Sequence, residues 1–215
     1  MRNNLQKPSF DEEKAFKAQG YQLIAGIDEV GCGALAGPVV AAAVILPRKI
    51  DGRWLKQVKD SKQLSPATRE LLSRQIHKTA ISVGIGTVIH EIIDTQGLTT
   101  ARRLAMKTAI AKLSPPPEAL LIDYIVVPDV PLPQRGIKGG DSLCVSIACA
   151  SIVAKVARDH LMIEFDGMYP GYGLGQHKGY GTERHLAYLH RLGPSPIHRQ
   201  SFKPIKDLIH QRNET

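Results

Sequence analysis

The sequence has few cysteines and no long apolar run. Its three cysteines, Cys32, Cys144 and Cys149, are an odd number without zinc-like spacing, which argues against a disulfide framework and a metal knuckle. No segment reaches the roughly 18 consecutive apolar residues of a membrane span. The first residues also lack the apolar segment of a signal peptide. We therefore expect a cytoplasmic protein that does not enter the membrane.

Internal repeats and low-complexity linkers are also missing. The 215 residues, 43% of them apolar, suit one domain of ordinary size with a substantial core. We divide the chain into a polar lead-in (residues 1–20), a core (residues 21–176) and a basic C-terminal extension (residues 177–215).

Positive charge exceeds negative charge, and the excess is uneven. The formal net charge is +8 and the sequence pI is about 9.5. The last 40 residues, from Gln176 to Thr215, carry seven Lys and Arg against three Asp and Glu, which gives +4. This balance favours a polyanionic partner, although charge alone does not establish one.

The stretch from Tyr21 to Leu46 organises the rest of the chain. Tyr21–Ile27 is predicted to be a strand that ends at Asp28-Glu29, and Val39–Leu46 is an apolar run that suits a strand buried on both faces. A glycine-rich loop joins the two strands. Two adjacent carboxylates at the end of a buried strand are costly because desolvation and like charge both raise their energy. A bound cation would relieve that cost.

The remaining pattern alternates between helices and strands. Further strands are predicted at Ile81–Ile89 and Ala119–Ile125, a helix begins at Ser65-Pro66, a Pro-rich loop covers Pro128–Pro133, and the longest helix covers Ser142–Phe165. Early strands followed by this alternation indicate an α/β fold with a mixed sheet flanked by helices.

Two further acids match the pair at the first strand. Asp123 lies inside the apolar run ALLIDYI, and Asp141 follows a Gly-Gly turn at a helix start. If the first and fourth strands are neighbours, these carboxylates converge at one edge of the sheet. Oxygen-only clusters bind Mg²⁺ or Mn²⁺ rather than zinc. The alternatives are that Asp28 caps a turn and that Asp141 is a helix N-cap.

Five ordered motifs carry a resemblance to a known family. GIDEVGCGALAGPVVAAAVIL, KDSKQLS, LLID, KGGDS with SIACASIVAKVARDHLM, and HKGYGTERH with LGPSPIHRQSF resemble bacterial ribonuclease HII from about Tyr21 to Phe202. The resemblance implies a ribonuclease H-like sheet with a small C-terminal helical extension. It also implies an endonuclease that uses two Mg²⁺ or Mn²⁺ ions, and we expect this endonuclease to be a monomer. Its substrates would be RNA–DNA hybrids and duplex DNA with embedded ribonucleotides.

The resemblance also assigns roles to particular residues. It matches Asp28, Glu29, Asp123 and Asp141 to the family's metal-binding acids, the Gly31-Cys32-Gly33 loop to its Gly-Arg-Gly loop, and Tyr180 to its substrate-sensing tyrosine. The remaining residues that we assign to substrate binding are Ser61, Lys62, Lys178, Arg184 and His198, of which the last four would hold phosphates. Taken alone, Tyr180 could be a surface-loop tyrosine and Lys62 a solvated lysine.

Two departures from the family pattern matter for function. Cys32 replaces the arginine of Gly-Arg-Gly, and Tyr124 follows Asp123 where the family usually has glycine. We expect metal binding to persist and substrate binding to weaken. A protein that binds hybrids without cutting them is therefore one alternative. A dehydrogenase is another because residues 31–36 fit G-x-G-x-x-A, but that motif needs a helix after the turn.

Overall fold

The structure is a computed structural model that describes residues 7–50 and 52–213. Part of the predicted lead-in, residues 1–6, lies outside the described residues. The rest of the lead-in contains the first helix, α1 (Asp11–Ala18).

The core is one five-stranded mixed sheet. Its strands are β1 (Ile24–Val30), β2 (Val39–Ile45), β3 (Ser82–Val88), β4 (Ala119–Asp123) and β5 (Gln134–Ile137). Their order is β3-β2-β1-β4-β5, with antiparallel pairing among the first three and parallel pairing of β1 with β4 and of β4 with β5. The first and fourth strands are therefore neighbours, as the convergence of the acids requires.

Helices cover both faces of this sheet. After α1 they are α2 (Pro66–Thr79), α3 (His90–Gln96), α4 (Leu98–Ala111), α5 (Gly140–Leu143), α6 (Val145–Met168), α7 (Leu174–His177), α8 (Glu183–Leu192) and α9 (Lys203–Asn213). Two short 3-10 helices, Arg53–Gln57 and Ser61–Gln63, lie before α2. Ser65 caps α2 as predicted, since its side chain accepts a hydrogen bond from the Thr68 amide.

Alternate residues of the central strands pack against different helices. One face of β1 and β2, which includes Ile27 and Ala41, packs against α4, whereas Ala42 and Val44 of β2 pack against α2 and α6. Helix α6 approaches β1 closely because Gly26 has no side chain; a Cβ there would lie 2.2 Å from the Ser146 carbonyl carbon. This close packing explains the small residues in the first half of α6.

Several predicted boundaries differ from the observed ones, and one strand was not predicted. Strand β1 continues to Val30 because Asp28, Glu29 and Val30 still pair with β2. The long helix starts at Val145 because Cys144 has an extended backbone, which separates α5 from α6. Strand β5 was not predicted, because its sequence QRGI is short, polar and at the sheet edge.

The C-terminal helices form a separate hydrophobic cluster. Apolar residues of α8, α9 and the neighbouring loops pack against Leu35, Ala36 and Met162. The structure therefore has the predicted helical region at its C-terminal end, and this region contacts the loop between β1 and β2. Among the described residues, no helix combines the length and apolarity that crossing a bilayer requires.

Candidate active site

A cavity of about 420 Å³ opens where β1 and β4 end. It is lined by all four predicted acids and by six of the nine other predicted residues: Asp28, Glu29, Asp123, Asp141, Gly31, Cys32, Gly33, Ser61, Lys62 and Tyr180. Residues from five separate parts of the sequence therefore meet at one place.

Asp28 is an integral residue of the sheet. It pairs with Ala42 across β1 and β2 and is 7% exposed, so it does not cap a turn. Burial raises the pKa of Asp28 well above its ordinary value, and the charges of Glu29 and Asp123 raise it further. The folded protein therefore holds this carboxylate in an environment that opposes its negative charge.

Glu29 has different neighbours because successive strand residues point to opposite faces of the sheet. Its Oε1 atom lies 2.5 Å from Arg102 Nη2 of α4, and Cys32 Sγ lies 3.5 Å from the same oxygen. Burial raises the pKa of Glu29, although the Arg102 guanidinium partly offsets the rise. Asp28 and Glu29 therefore reach the cavity from opposite faces of the sheet.

Asp123 and Asp141 are joined by the turn before α5. Asp123 Oδ1 accepts a hydrogen bond of 2.7 Å from the Gly140 amide, which fixes the carboxylate at the end of β4. Asp141 is not an N-cap, because Gly139 has that position. Burial raises the pKa of Asp141, and the charges of Asp60 and Asp123 add to the rise.

Lys62 balances part of this negative charge. Burial lowers its pKa, but the carboxylates of Asp60, Asp141 and Asp28 raise it by more, so that the net shift is upward. The ammonium group therefore stays charged at the rim of the cavity. Beside it, Ser61 and Ser151 share a hydrogen bond of 2.9 Å, and both are buried.

Two buried arginines hold the glycine loop that follows β1. Arg199 donates to the carbonyls of Gly31 (2.7 Å), Cys32 (2.9 Å) and Gly37 (2.9 and 3.1 Å). Arg158 of α6 donates to the carbonyls of Ala36, Pro38 and Lys178, at 3.1, 2.9 and 2.9 Å. We call Arg158 and Arg199 the arginine clamp.

The clamp also explains one glycine of the loop. Gly31 has a φ of +93°, and a Cβ there would lie 2.2 Å from Arg158 Nε. A larger residue would therefore be strained and would displace the guanidinium.

Tyr180 is attached to the same loop. It forms an isolated antiparallel bridge with Ala34, and its ring centroid lies 5.5 Å from Arg158 Cζ and 6.0 Å from Lys155 Nζ. Its side chain lines the cavity beside Gly31-Cys32-Gly33, so the interpretation of Tyr180 as an unrelated surface tyrosine does not fit its position.

Three predicted substrate-binding residues lie outside the cavity lining. His198 is fully buried and hydrogen-bonded to Ser195 and His185, so the prediction that it holds a phosphate is wrong. Its segment instead supports the loop through a bridge to Ala36. Lys178 donates to the Gly175 carbonyl, and exposed Arg184 donates to Tyr188 and Gln176. Phosphate binding by these two residues stays a prediction.

The sequence interpretation missed several residues at the site. Ser151 and Lys155 line the cavity, and with Arg158 they occur at positions i, i+4 and i+7 of α6. This spacing places them on one helix face, and that polar stripe in an apolar helix was a usable signal. Arg102 was also missed, although it lies four residues from Leu98 and Met106 on the inward side of α4.

The four acids of the cavity offer only oxygen atoms to a metal ion, and one of these oxygens has no hydrogen-bond partner. Within the described residues, Glu29 Oε2 is buried and has no hydrogen-bond partner. As the side chains stand, no three Asp, Glu, His or Cys side chains in the described ranges form a group that could hold a metal ion. The chemistry of the acids, rather than a closed coordination shell, therefore indicates that a hard cation fits here.

Known structures share the fold of this chain. The ribonuclease H2 from Pyrococcus horikoshii OT3 superposes with a TM-score of 0.74 at 23% identity, covering 89% of this chain and 99% of that one. Bst ribonuclease HIII in complex with Mn²⁺ gives a TM-score of 0.68 at 20% identity, covering 92% and 73%. The mixed sheet with its helical C-terminal region is the ribonuclease H-like fold that the sequence predicted.

Sequence comparison identifies the family. Residues 25–205 match the family described as Ribonuclease HII. A ribonuclease HII from Dehalococcoides mccartyi is 55% identical over 202 residues, which cover 94% of this chain and 95% of that protein. The chain therefore belongs to the ribonuclease HII family and is a ribonuclease H. The dehydrogenase alternative is excluded because strand β2, not a helix, follows the glycine turn.

Proposed function

We propose that this chain cleaves the RNA strand of RNA–DNA hybrids and cuts duplex DNA at single embedded ribonucleotides. The observation that carries this proposal is that four carboxylates from β1, β4 and α5 line one cavity with the glycine loop and Tyr180. The net charge of +8 fits a polyanionic substrate. Removing ribonucleotides during DNA replication and repair is the proposed role.

The proposed cofactors are two Mg²⁺ or Mn²⁺ ions held by Asp28, Glu29, Asp123 and Asp141. The unpaired Oε2 of Glu29 and the raised pKa of Asp28, caused first by burial, both fit a cation at this position. When bound, the two ions would stabilise the attacking and leaving oxygens of phosphodiester hydrolysis. The protein itself orients the acids: the Glu29 amide donates to Asp28, and the Gly140 amide donates to Asp123.

Selection of RNA is proposed to depend on the glycine loop and Tyr180. Only RNA carries a 2′-hydroxyl group, which both donates and accepts a hydrogen bond. The backbone at Gly33 can approach a ribose closely because nothing lies within 4 Å of the position where a Cβ would be. Tyr180 lines the same cavity, so its ring can pack on the adjoining sugar while its hydroxyl group contacts the ribose.

The C-terminal extension, residues 177–215, is proposed to add phosphate contacts outside the cavity. Arg184 is exposed on α8, and Lys178 lies beside Tyr180 in the sequence. Action as a monomer is part of the proposal. Cys32, Cys144 and Cys149 are free thiols, which fits the reducing conditions of the proposed cytoplasmic location.

We expect cleavage on the 5′ side of the ribonucleotide, leaving a 3′-hydroxyl and a 5′-phosphate, because water rather than the 2′-hydroxyl is the nucleophile. A duplex DNA with one ribonucleotide, incubated with Mg²⁺, Mn²⁺ or EDTA and analysed on a sequencing gel, tests this. Matched all-DNA duplex is the control. Cleavage in EDTA or a 2′,3′-cyclic phosphate product would contradict the proposal.

Tyr180→Ala is expected to reduce cleavage at a single ribonucleotide on the order of 100-fold while changing hybrid binding much less. Misplacing the reacting group by about 1 Å produces a loss of that size. Single-turnover rates and binding constants separate the two effects. Tyr180→Phe is the matched control, since it keeps the ring and removes the hydroxyl. Unchanged kinetics in Tyr180→Ala would show that Tyr180 has no role in positioning.

A further inference from the structure

One ion pair includes a residue that lines the cavity, and each of its partners has a polar atom without a hydrogen bond. Glu29 Oε1 accepts from Arg102 Nη2, but Glu29 Oε2 and Arg102 Nε, among the described residues, are buried without a hydrogen-bond partner. Native structures rarely leave buried polar atoms unpaired, and those that remain often lie where a ligand binds. The unpaired carboxylate oxygen fits the proposed cation. The unpaired guanidinium nitrogen requires an acceptor.

The position of Arg102 places that donor beside the glycine loop. Its side chain comes from α4, is 22% exposed, and reaches the carboxylate that Cys32 Sγ also contacts. The guanidinium group is charged, because arginine keeps its proton in proteins at any ordinary pH. A guanidinium is planar and can donate two parallel hydrogen bonds to a phosphate.

The side chain of Cys32 is short, and this affects the space around Arg102. Cys32 Sγ lies 3.5 Å from Glu29 Oε1, and Arg102 Nη2 lies 2.5 Å from the same atom. An arginine at position 32 would bring a second guanidinium to a carboxylate that already has one. The two positive charges would repel each other.

We propose that Arg102 contacts a backbone phosphate of the bound nucleic acid and supplies, from α4, the positive charge that the Gly31-Cys32-Gly33 loop does not carry. In the free protein the guanidinium is paired with Glu29, which lines the cavity, although Arg102 itself does not. On binding, the guanidinium turns toward the substrate, where Nε and an Nη atom both donate to phosphate oxygens. This inference rests on the proposed function, because it assumes that a nucleic acid occupies the cavity.

The proposal makes Cys32 and Arg102 energetically coupled. With Arg102 present, Cys32→Arg adds little to binding, because the phosphate already has its donor and the two guanidinium groups repel each other. With Arg102 replaced, the same Cys32→Arg substitution restores a donor. The effect of one substitution therefore depends on the residue at the other position.

A double-mutant cycle tests this coupling. Wild type, Arg102→Gln, Cys32→Arg and the double variant are titrated with a fluorescent RNA–DNA hybrid in EDTA, so that binding is measured without cleavage, over a salt series. Arg102→Gln is expected to weaken binding about tenfold, as for one charge-assisted hydrogen bond. It should also reduce the log–log salt slope by ~0.9. In the double variant, the Cys32→Arg substitution should restore most of the lost affinity and most of the lost salt slope.

The matched control is Arg103→Gln, which removes an equal charge from the exposed neighbour on α4. It should change affinity and salt slope less than Arg102→Gln. Urea unfolding of each variant checks that the fold is retained; the salt slope is compared among folded molecules only.

Several results would overturn the proposal. Unchanged affinity and slope in Arg102→Gln would show that Arg102 makes no phosphate contact. An equal gain from Cys32→Arg in both backgrounds would show that the two positions act independently. If the wild type cuts ribonucleotide-containing duplex but the cycle is additive, only this inference fails. If the wild type neither binds nor cuts such substrates, the proposed function fails with it.

Discussion

Replacing Asp28 or Asp123 with asparagine is expected to reduce cleavage by about 100-fold or more. Substitutions of the partners that orient metal ligands already cost about 10- to 100-fold in affinity or activity, and loss of a ligand should cost at least as much. Asparagine keeps the shape of the side chain and removes its negative charge. Single-turnover cleavage of a ribonucleotide-containing duplex in Mg²⁺ and in Mn²⁺ is the measurement.

Asp129→Asn is the matched control, because Asp129 is exposed in the loop before β5 and does not line the cavity. It should keep wild-type activity. If Asp28→Asn or Asp123→Asn keeps more than a few per cent of the activity, the metal-ligand assignment is wrong at that position.

The metal-free fold of Asp28→Asn should be more stable than that of the wild type at neutral pH. Burial, followed by the Glu29 and Asp123 charges, raises the pKa of Asp28 in the folded state. A raised carboxyl pKa means that the folded state binds the proton more tightly. The free energy of unfolding therefore falls as pH rises from the ordinary pKa toward the folded-state pKa. The stabilisation by asparagine should shrink as pH falls toward 3.8, the ordinary value. Urea unfolding in EDTA at several pH values measures this.

Arg199→Met is expected to lower the free energy of unfolding by about 3 kcal/mol or more and to abolish cleavage. It would leave the carbonyl oxygens of Cys32 and Gly37 without their donor, whereas that of Gly31 still accepts from the Ala34 amide at 3.3 Å. Each unsatisfied buried group costs about 1–3 kcal/mol. The total free energy of unfolding of a typical domain is only about 5–15 kcal/mol. The glycine loop should therefore lose its fixed conformation.

Urea unfolding and cleavage rates of Arg199→Met and Arg199→Lys measure this effect. Lysine should recover only part of it, because an ammonium group cannot reproduce the planar arrangement of guanidinium donors. Arg103→Met, an exposed arginine on α4, is the control and should change stability by less than about 0.5 kcal/mol. If Arg199→Met has wild-type stability and activity, the arginine clamp does not determine the loop conformation.

The central sheet was predictable because its strands have strong local signals. Val39–Ile45 is apolar throughout and Ser82–Val88 alternates, so both were identified to within one residue at each end. Strand β5 was missed because an edge strand of four mostly polar residues has no such pattern. Its pairing with β4 is what makes it a strand.

The convergence of the acids was predictable for a related reason. A carboxylate inside or directly after an apolar run, as at Asp28 and Asp123, is unusual, but turn capping stayed an alternative for Asp28 until the family motifs were considered. His198, Arg158 and Arg199 were assigned poorly or missed because their environment depends on tertiary contacts. In sequence, a buried arginine that binds carbonyl groups looks the same as an exposed one that could bind phosphate.

The arginine clamp also affects the order in which the protein matures during synthesis. Gly31 and Arg199 are 168 residues apart, and ribosomes add roughly 5–20 residues per second. The loop carbonyls therefore lack this donor for on the order of 10–30 s after the first strand has been synthesised. The sheet can form early, but the nuclease becomes competent only after Arg199 has been translated. A nascent chain or a prematurely terminated fragment should accordingly be unable to cut nucleic acid.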